Sequence, residues 1–215
     1  MLSVEVGPDT HLHLLPERAV LLPEQRALLV ADVHIGKAVS FRRLGVPVPQ
    51  GTTSDSLQRL EALVERHQPT QLVFLGDFLH SEHAHAPATL AALARWRERH
   101  AALRLTLVRG NHDDRAGDPP EELGFEVVDE PWRLGKLALS HHPRATPGAY
   151  TLAGHLHPCA VLSRGLDHLR LPCFWLADQV GVLPAFGAFT GMKAIRAGER
   201  DRVYAVAEDR VFPVR

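Results

Sequence analysis

The sequence predicts an α/β protein in which two mixed β-sheets pack as a sandwich flanked by helices. Three observations lead there. The first half alternates short apolar runs with segments of helical periodicity. The second half is a series of short strand-like segments separated by Gly, Pro and Asp. Polar clusters begin immediately after several of the apolar runs.

In chain order, His11–Leu15 and Arg18–Leu22 read as a hairpin turning near Pro16. Ala27–Ala31 (ALLVA) is a buried-strand run. Thr53–His67 places Leu57, Leu60, Leu63 and Val64 at helical spacing and is stopped by Pro69. Leu72–Leu75 is a second apolar run. Pro87–Arg99 is a second helix, with Pro in its first turn and Leu90, Leu93 and Trp96 on one side. Leu103–Val108 is a third run. Strand, helix, strand, helix, strand implies parallel βαβ units. Beyond them, Glu126–Val128, Trp132–Leu134, Lys136–Ser140, Tyr150–Ala153, Val161–Ser163, His168–Leu171, Gln179–Leu183, Arg202–Ala207 and Val211–Val214 are short strand candidates.

The 215 residues fit one domain, 1–215, with no repeat or linker. A formal net charge of -1 excludes a global positive field, so a polyanion has to be held by a local patch. Cys159 and Cys173 are too few for a disulfide framework and fit a reducing cytosol. Met1–Thr10 carries Glu5 and Asp9 and no signal-type apolar stretch, so a cytoplasmic protein without membrane attachment is expected. The unusual quantity is 14 His, since His is the commonest metal ligand.

Five polar clusters each follow an apolar run: Asp32-Val33-His34, Asp77, Asn111-His112-Asp113, His141-His142 and His155-Leu156-His157. In open α/β sheets ligands bind beyond the carboxyl ends of the strands. Strands sharing a direction would bring the clusters to one rim. Residues i and i+2 of an extended segment point the same way, so Asp32 with His34, and His155 with His157, can reach one metal pair together. Gly76, Gly110 and Gly154 precede three of the clusters and permit close backbone approach. Asp32, His34, Asp77, Asn111, His141, His155 and His157 are N and O donors without thiolate. Such a set suits Mn²⁺ first, with Fe²⁺ or Zn²⁺ as alternatives. It is too large for one ion and suits two divalent ions sharing a bridging carboxylate. Any one of these motifs alone would be an ordinary turn or a solvated strand.

Together the clusters resemble the calcineurin-like metallophosphoesterase superfamily over about Ala31–His157. Shorter segments are similar to the bacterial DNA ligase-associated metallophosphoesterases, assigned to DNA repair as endonucleases beside a ligase and a helicase. These are Gly36-Lys37-Ala38 with Phe41-Arg42-Arg43, Gly76–Ser81, Leu171–Phe174 and Leu183–Gly187. The resemblance implies that Asp32, His34 and His157 hold one metal, that Asn111, His141 and His155 hold the other, and that Asp77 bridges them. It also implies that His112 faces the substrate instead of ligating.

The expected function is a dinuclear-metal phosphodiesterase, an endonuclease of DNA repair. A metal-bridging hydroxide attacks phosphorus, and His112 protonates the leaving group. Asp113 would orient His112 or raise its pKa. Lys37, Arg42 and Arg43 would hold flanking phosphates. The alternatives are a phosphatase or phosphodiesterase acting on nucleotides, phosphomonoesters or phosphoproteins, and a scaffold that keeps the fold without catalysis. Among weaker features, His80 reads as part of a polar loop, and His142 should point away from its neighbour. The Pro184–Gly191 loop, with Phe186 and Phe189, reads as core packing before base stacking.

Overall fold

A computed structural model of the protein describes residues 1–43, 45, 52–164, 167–188 and 190–214, with only the backbone at positions 43, 52 and 164. The first sheet is ordered β1-β2-β3-β4-β5-β6-β7. It is built from β1 (Leu2–Gly7), β2 (Thr10–Leu15), β3 (Ala19–Leu22), β4 (Ala27–Val30), β5 (Gln71–Leu75), β6 (Arg104–Val108) and β7 (Phe125–Val128). Its first four strands form an antiparallel meander, and β4 to β7 run parallel. Strand β1 was not foreseen, because its single buried side chain, Val4, sits between exposed Ser3 and Glu5.

The helices lie on one side of this sheet. They are α1 (Lys37–Arg43), α2 (Thr52–His67), α3 (Pro87–Arg99) and the short α4 (Asp113–Ala116). The foreseen apolar stripes, Leu57, Leu60, Leu63 and Val64 of α2 and Leu93 and Trp96 of α3, pack onto Leu28, Val30, Leu72, Phe74, Leu105 and Leu107. Helix α2 ends where Gln68 takes positive φ and donates its N–H to Val64 O.

The second sheet follows the path β14-β11-β12-β13-β10-β9-β8, with β15 on β12 and β16 on β15. Its strands are β8 (Trp132–Leu134), β9 (Leu137–Ser140), β10 (Tyr150–Ala153), β11 (Pro158–Arg164), β12 (Asp167–Leu176), β13 (Val180–Val182), β14 (Lys193–Ala194), β15 (Arg202–Ala207) and β16 (Arg210–Pro213). Strand β12 runs straight through Pro172, which is why it is longer than its apolar pattern suggests. Between the sheets, Leu12, Leu14, Leu29, Val73, Leu75 and Val108 meet Leu137, Leu139, Leu152, Phe174, Leu176 and Leu183. Among the described residues no helix covers the outer face of the second sheet. Ile195, Ala197, Phe212 and Val214 pack there on Cys173, Val203 and Ala205. No helix among the described residues is long and apolar enough to cross a membrane.

Candidate metal centre

Strands β4, β5 and β6 of the first sheet, and β9 and β10 of the second, each end at one of the polar clusters. The parallel ladder of β4 and β5 continues past the strand ends: Asp32 N–H reaches Gly76 O at 3.2 Å and His34 N–H reaches Asp77 O at 2.9 Å. Across the sandwich, His155 N–H donates to the Asp32 carboxylate at 2.9 Å. Gly154 is required there, since a Cβ would stand 2.8 Å from Asp32 Oδ2.

The expected alternation along an extended segment is not what aligns the donors. Asp32, His34, Asp77, His155 and His157 all have positive φ, between 49° and 69°. Asp and His tolerate the left-handed region better than most residues. Each such residue still costs on the order of 1–3 kcal/mol unless its surroundings fix it. Here the carboxylates and carbonyls just described do the fixing. The donors reach one rim by successive left-handed turns, with His155 beside His141 and His157 beside Asp32.

Four groups among the described residues bring ligand-capable atoms within 4.8 Å of one another: Asp32, His34 and His157; Asp32, Asp77 and His141; His141, His142 and His155; and His34, His80 and His112. The first two contain the carboxylates and form the two donor sets. Around His141 Nε2 stand Asn111 Oδ1 at 3.0 Å, His155 Nδ1 at 3.0 Å and Asp77 Oδ1 at 3.4 Å. The other oxygen of Asp77 lies 3.9 Å from His34 Nε2, so this carboxylate faces both sets.

The donor chemistry fits divalent cations. His141 Nδ1 lies 3.2 Å from Leu75 O and His157 Nδ1 3.1 Å from Gly191 O. Carbonyls only accept, so both rings carry hydrogen at Nδ1 and present Nε2 to the site. This outward anchoring is typical of metal-binding imidazoles. Nε2 of His34 and of His157 is buried without a hydrogen-bond partner. Burial, helped by Lys37 and His157, holds His34 far below the ordinary imidazole pKa and keeps its lone pair free. For His157 burial acts the same way, but Asp32 outweighs it and the net shift is upward, so a cation would displace a proton there. Saturating metal should add about 2.7 kcal/mol per ion at a hundredfold excess over Kd. Chelation is therefore expected to lower Tm by roughly 5–10 °C per ion, read by thermal shift with and without EDTA.

His112 sits at the rim. Its Nδ1 donates to His80 O at 2.8 Å, and Nε2 is 4.0 Å from Asp77 Oδ2. The His80 ring stacks on His112 at 4.9 Å and 21°, and its Nδ1 is 3.4 Å from His34 Nδ1. His80 is thus part of the site rather than a polar loop residue. Burial, with Lys37 and His112 beside it, lowers its pKa to about 4.

Asp113 does not orient His112. It is fully buried and accepts from Leu79 N–H at 2.9 Å and Gly110 N–H at 3.0 Å, tying together the segments that follow β5 and β6. Burial pushes its pKa up to about 7 against those two N–H groups.

Of the basic trio, Lys37 is half-buried at the start of α1, where its N–H donates to His34 O at 3.1 Å and its ammonium lies 5.8 Å from the Phe41 ring; burial lowers its pKa against the pull of Asp32 and Asp77. Arg42 is exposed on α1, and the side chain of Arg43 lies outside the described residues. Arg109 is committed elsewhere, to Asp118 at 2.8 Å and Asp129 at 2.6 Å. Phe186 is core: it is fully buried beneath the Arg59 guanidinium, 4.1 Å from its ring. Its loop braces the Asp32 segment through Phe186 N–H to Ala31 O and Gly187 N–H to Asp32 O. Phe189 lies outside the described residues.

Glu130 was not foreseen. One carboxylate oxygen accepts from the N–H groups of His141 and His142, each at 2.8 Å, and the other meets His142 Nδ1 at 2.6 Å. His142 is thereby turned toward the site, its ring 4.6 Å from that of His155. No spacing rule marks Glu130, which lies in the connection between β7 and β8. Glu130→Ala leaves both N–H groups without their acceptor. It is expected to weaken binding of one ion by about 10–100-fold in a calorimetric titration.

The profile of the calcineurin-like phosphoesterase family matches residues 25–176. No curated protein matches the chain. Among solved structures the chain is similar to the nuclease MPE of Pseudomonas putida, at 48% identity over 99% of both chains with a TM-score of 0.88. It is distantly similar to Yfce, a phosphoesterase from E. coli, at 17% identity over 86% of this chain and 95% of that one, with a TM-score of 0.43.

Proposed function

Because the chain belongs to the calcineurin-like phosphoesterase family, and is thus a metal-dependent phosphoester hydrolase, we propose that it is a dinuclear phosphodiesterase that cuts DNA. In this reading it is a single-domain endonuclease of DNA repair in the cytoplasm, using manganese and working alongside a ligase and a helicase. One observation carries the phosphodiester chemistry: two donor sets share the Asp77 carboxylate, and His112 is tethered at their rim. The step to DNA is supported by the likeness to the Pseudomonas nuclease.

Asp32, His34 and His157 would hold one ion, Asn111, His141 and His155 the other, and Asp77 both. When bound, such a pair supplies a nucleophile at neutral pH and neutralises charge on the phosphoryl oxygens. The remaining work falls to the chain. With Nδ1 committed to His80 O, the transferable proton of His112 resides at Nε2, facing the rim. It passes to the leaving oxygen as the P–O bond breaks. The partly exposed ring then regains a proton from solvent. The Lys37 ammonium binds a non-bridging phosphate oxygen, and Asp113 fixes the backbone that carries Asp77 and Asn111.

The test is a substrate panel run with Mn²⁺: supercoiled plasmid, single-stranded DNA, RNA, cyclic nucleotides, and aryl mono- and diesters. Nicking of plasmid is the expected result. Hydrolysis of monoesters alone would replace this reading with a phosphatase, and no hydrolysis at all would replace it with a scaffold.

A further inference from the structure

Exposed large apolar side chains among the described residues are Met1, Val161, Leu169 and Met192. Three of these four belong to one feature. Strands β11 and β12 pair from Cys159↔Pro172 out to Arg164↔Asp167. Their outer half leaves the body of the protein: Asp167, His168, Leu169 and Arg170 are all exposed, while Cys173 and Phe174 further along β12 are buried. Register sets Val161 opposite Arg170 and Leu162 opposite Leu169, so an exposed apolar side chain stands on each face of this two-stranded arm.

The root of the arm is the metal centre. Strand β11 begins one residue after His157, and Lys193 N–H bonds His157 O at 3.0 Å. Arg170 donates to Met192 O, next to Gly191, whose carbonyl holds His157 Nδ1. Arg170 on the arm and Lys193 on β14, which pairs with the start of β11, are exposed, and Asp167 is the arm's one acid among the described residues, in a chain of net charge -1.

We propose that the β11–β12 arm, with Met192 at its root, grips the substrate nucleic-acid strand beyond the scissile phosphate. This rests on the nuclease reading of the adjoining site. Phosphates pair with the cations, and base faces lie on Val161, Leu169 and Met192, a division of labour usual for single strands. A second copy of the chain fits less well. The arm's exposed apolar side chains are isolated, lie on opposite faces and are interspersed with charge, so neither face offers the apolar core of a stable interface.

The experiment measures binding of a labelled single-stranded 30-mer and a 4-mer by fluorescence anisotropy in Mn²⁺, both with a phosphorothioate backbone that resists cutting. Wild type is compared with Val161→Glu/Leu169→Glu and with the milder Val161→Ser/Leu169→Ser. The Glu pair is expected to weaken 30-mer binding by about tenfold and the Ser pair by less, with 4-mer binding unmoved. No affinity of wild type for the 30-mer, no change in the variants, or an equal loss for both lengths would overturn the proposal. So would a wild-type dimer that the Glu pair dissociates in size exclusion. Wild type that binds the 30-mer but fails to nick plasmid in Mn²⁺ would instead defeat the nuclease reading and leave the arm standing.

Discussion

Asp77→Asn is expected to bind fewer than two equivalents of metal and to lose hydrolysis of every phosphoester alike. Asp77 is 3% exposed and presents one oxygen to each donor set, at 3.9 Å from His34 Nε2 and 3.4 Å from His141 Nε2. An amide keeps the shape but removes the charge and one acceptor. Asp32 would then be the one remaining carboxylate among the seven candidate ligands. The same Asp77 oxygen that faces His141 accepts His112 N–H at 2.9 Å, so the backbone carrying the proton donor loosens as well. The loss in kcat/KM should be on the order of 10³-fold or more, about 4 kcal/mol of barrier. Metal counted by mass spectrometry under native conditions checks the first half, and rates on an aryl diester and on plasmid check the second. Two retained ions with normal rates would remove Asp77 from its bridging position.

His112→Ala should separate what Asp77→Asn loses together. His112 is anchored through Nδ1 to His80 O and stacked on the His80 ring, and beside His34 and His80 it lies apart from the two sets that contain carboxylates. Both ions should stay. DNA cleavage should fall by roughly 10²–10⁴-fold, the range for loss of a general acid. An aryl diester should lose far less, because a phenolate leaves without needing a proton. Metal lost in this variant would show that His112 serves as a ligand. Equal losses on DNA and on the aryl ester would show that it binds phosphate instead of donating a proton.

The sequence made the strand ends and their donors legible for a physical reason. ALLVA, LVFLG and the Leu105–Val108 stretch of LTLVRG are buried on both faces, so they read as near-continuous apolar runs, and the polar cluster that follows each marks the rim. Backbone conformation at that rim was not legible. The positive φ of Asp32, His34, Asp77, His155 and His157 depends on carbonyls and carboxylates from other segments, which no local pattern encodes. Glu130 and His80 were missed or underrated for the same reason. Each acts through hydrogen bonds to residues distant in sequence, Glu130 on His141 and His80 on His112. Spacing alone does not say which of His155 and His157 joins which group, and the structure sets His155 beside His141 and His157 beside Asp32.

Each donor set is divided between the two halves of the sandwich. Asp32 and His34 stand on the first sheet and His157 on the second, while Asn111 stands on the first and His141 and His155 on the second. With Asp77 counted in both, the first sheet offers three donors to one position and two to the other, and the second sheet completes each. Metal affinity is therefore a gauge of how the sheets are seated on each other. Thinning the apolar layer at Leu139 or Phe174, which contribute to the core between the sheets and are no part of the chemistry, would be felt at both positions at once.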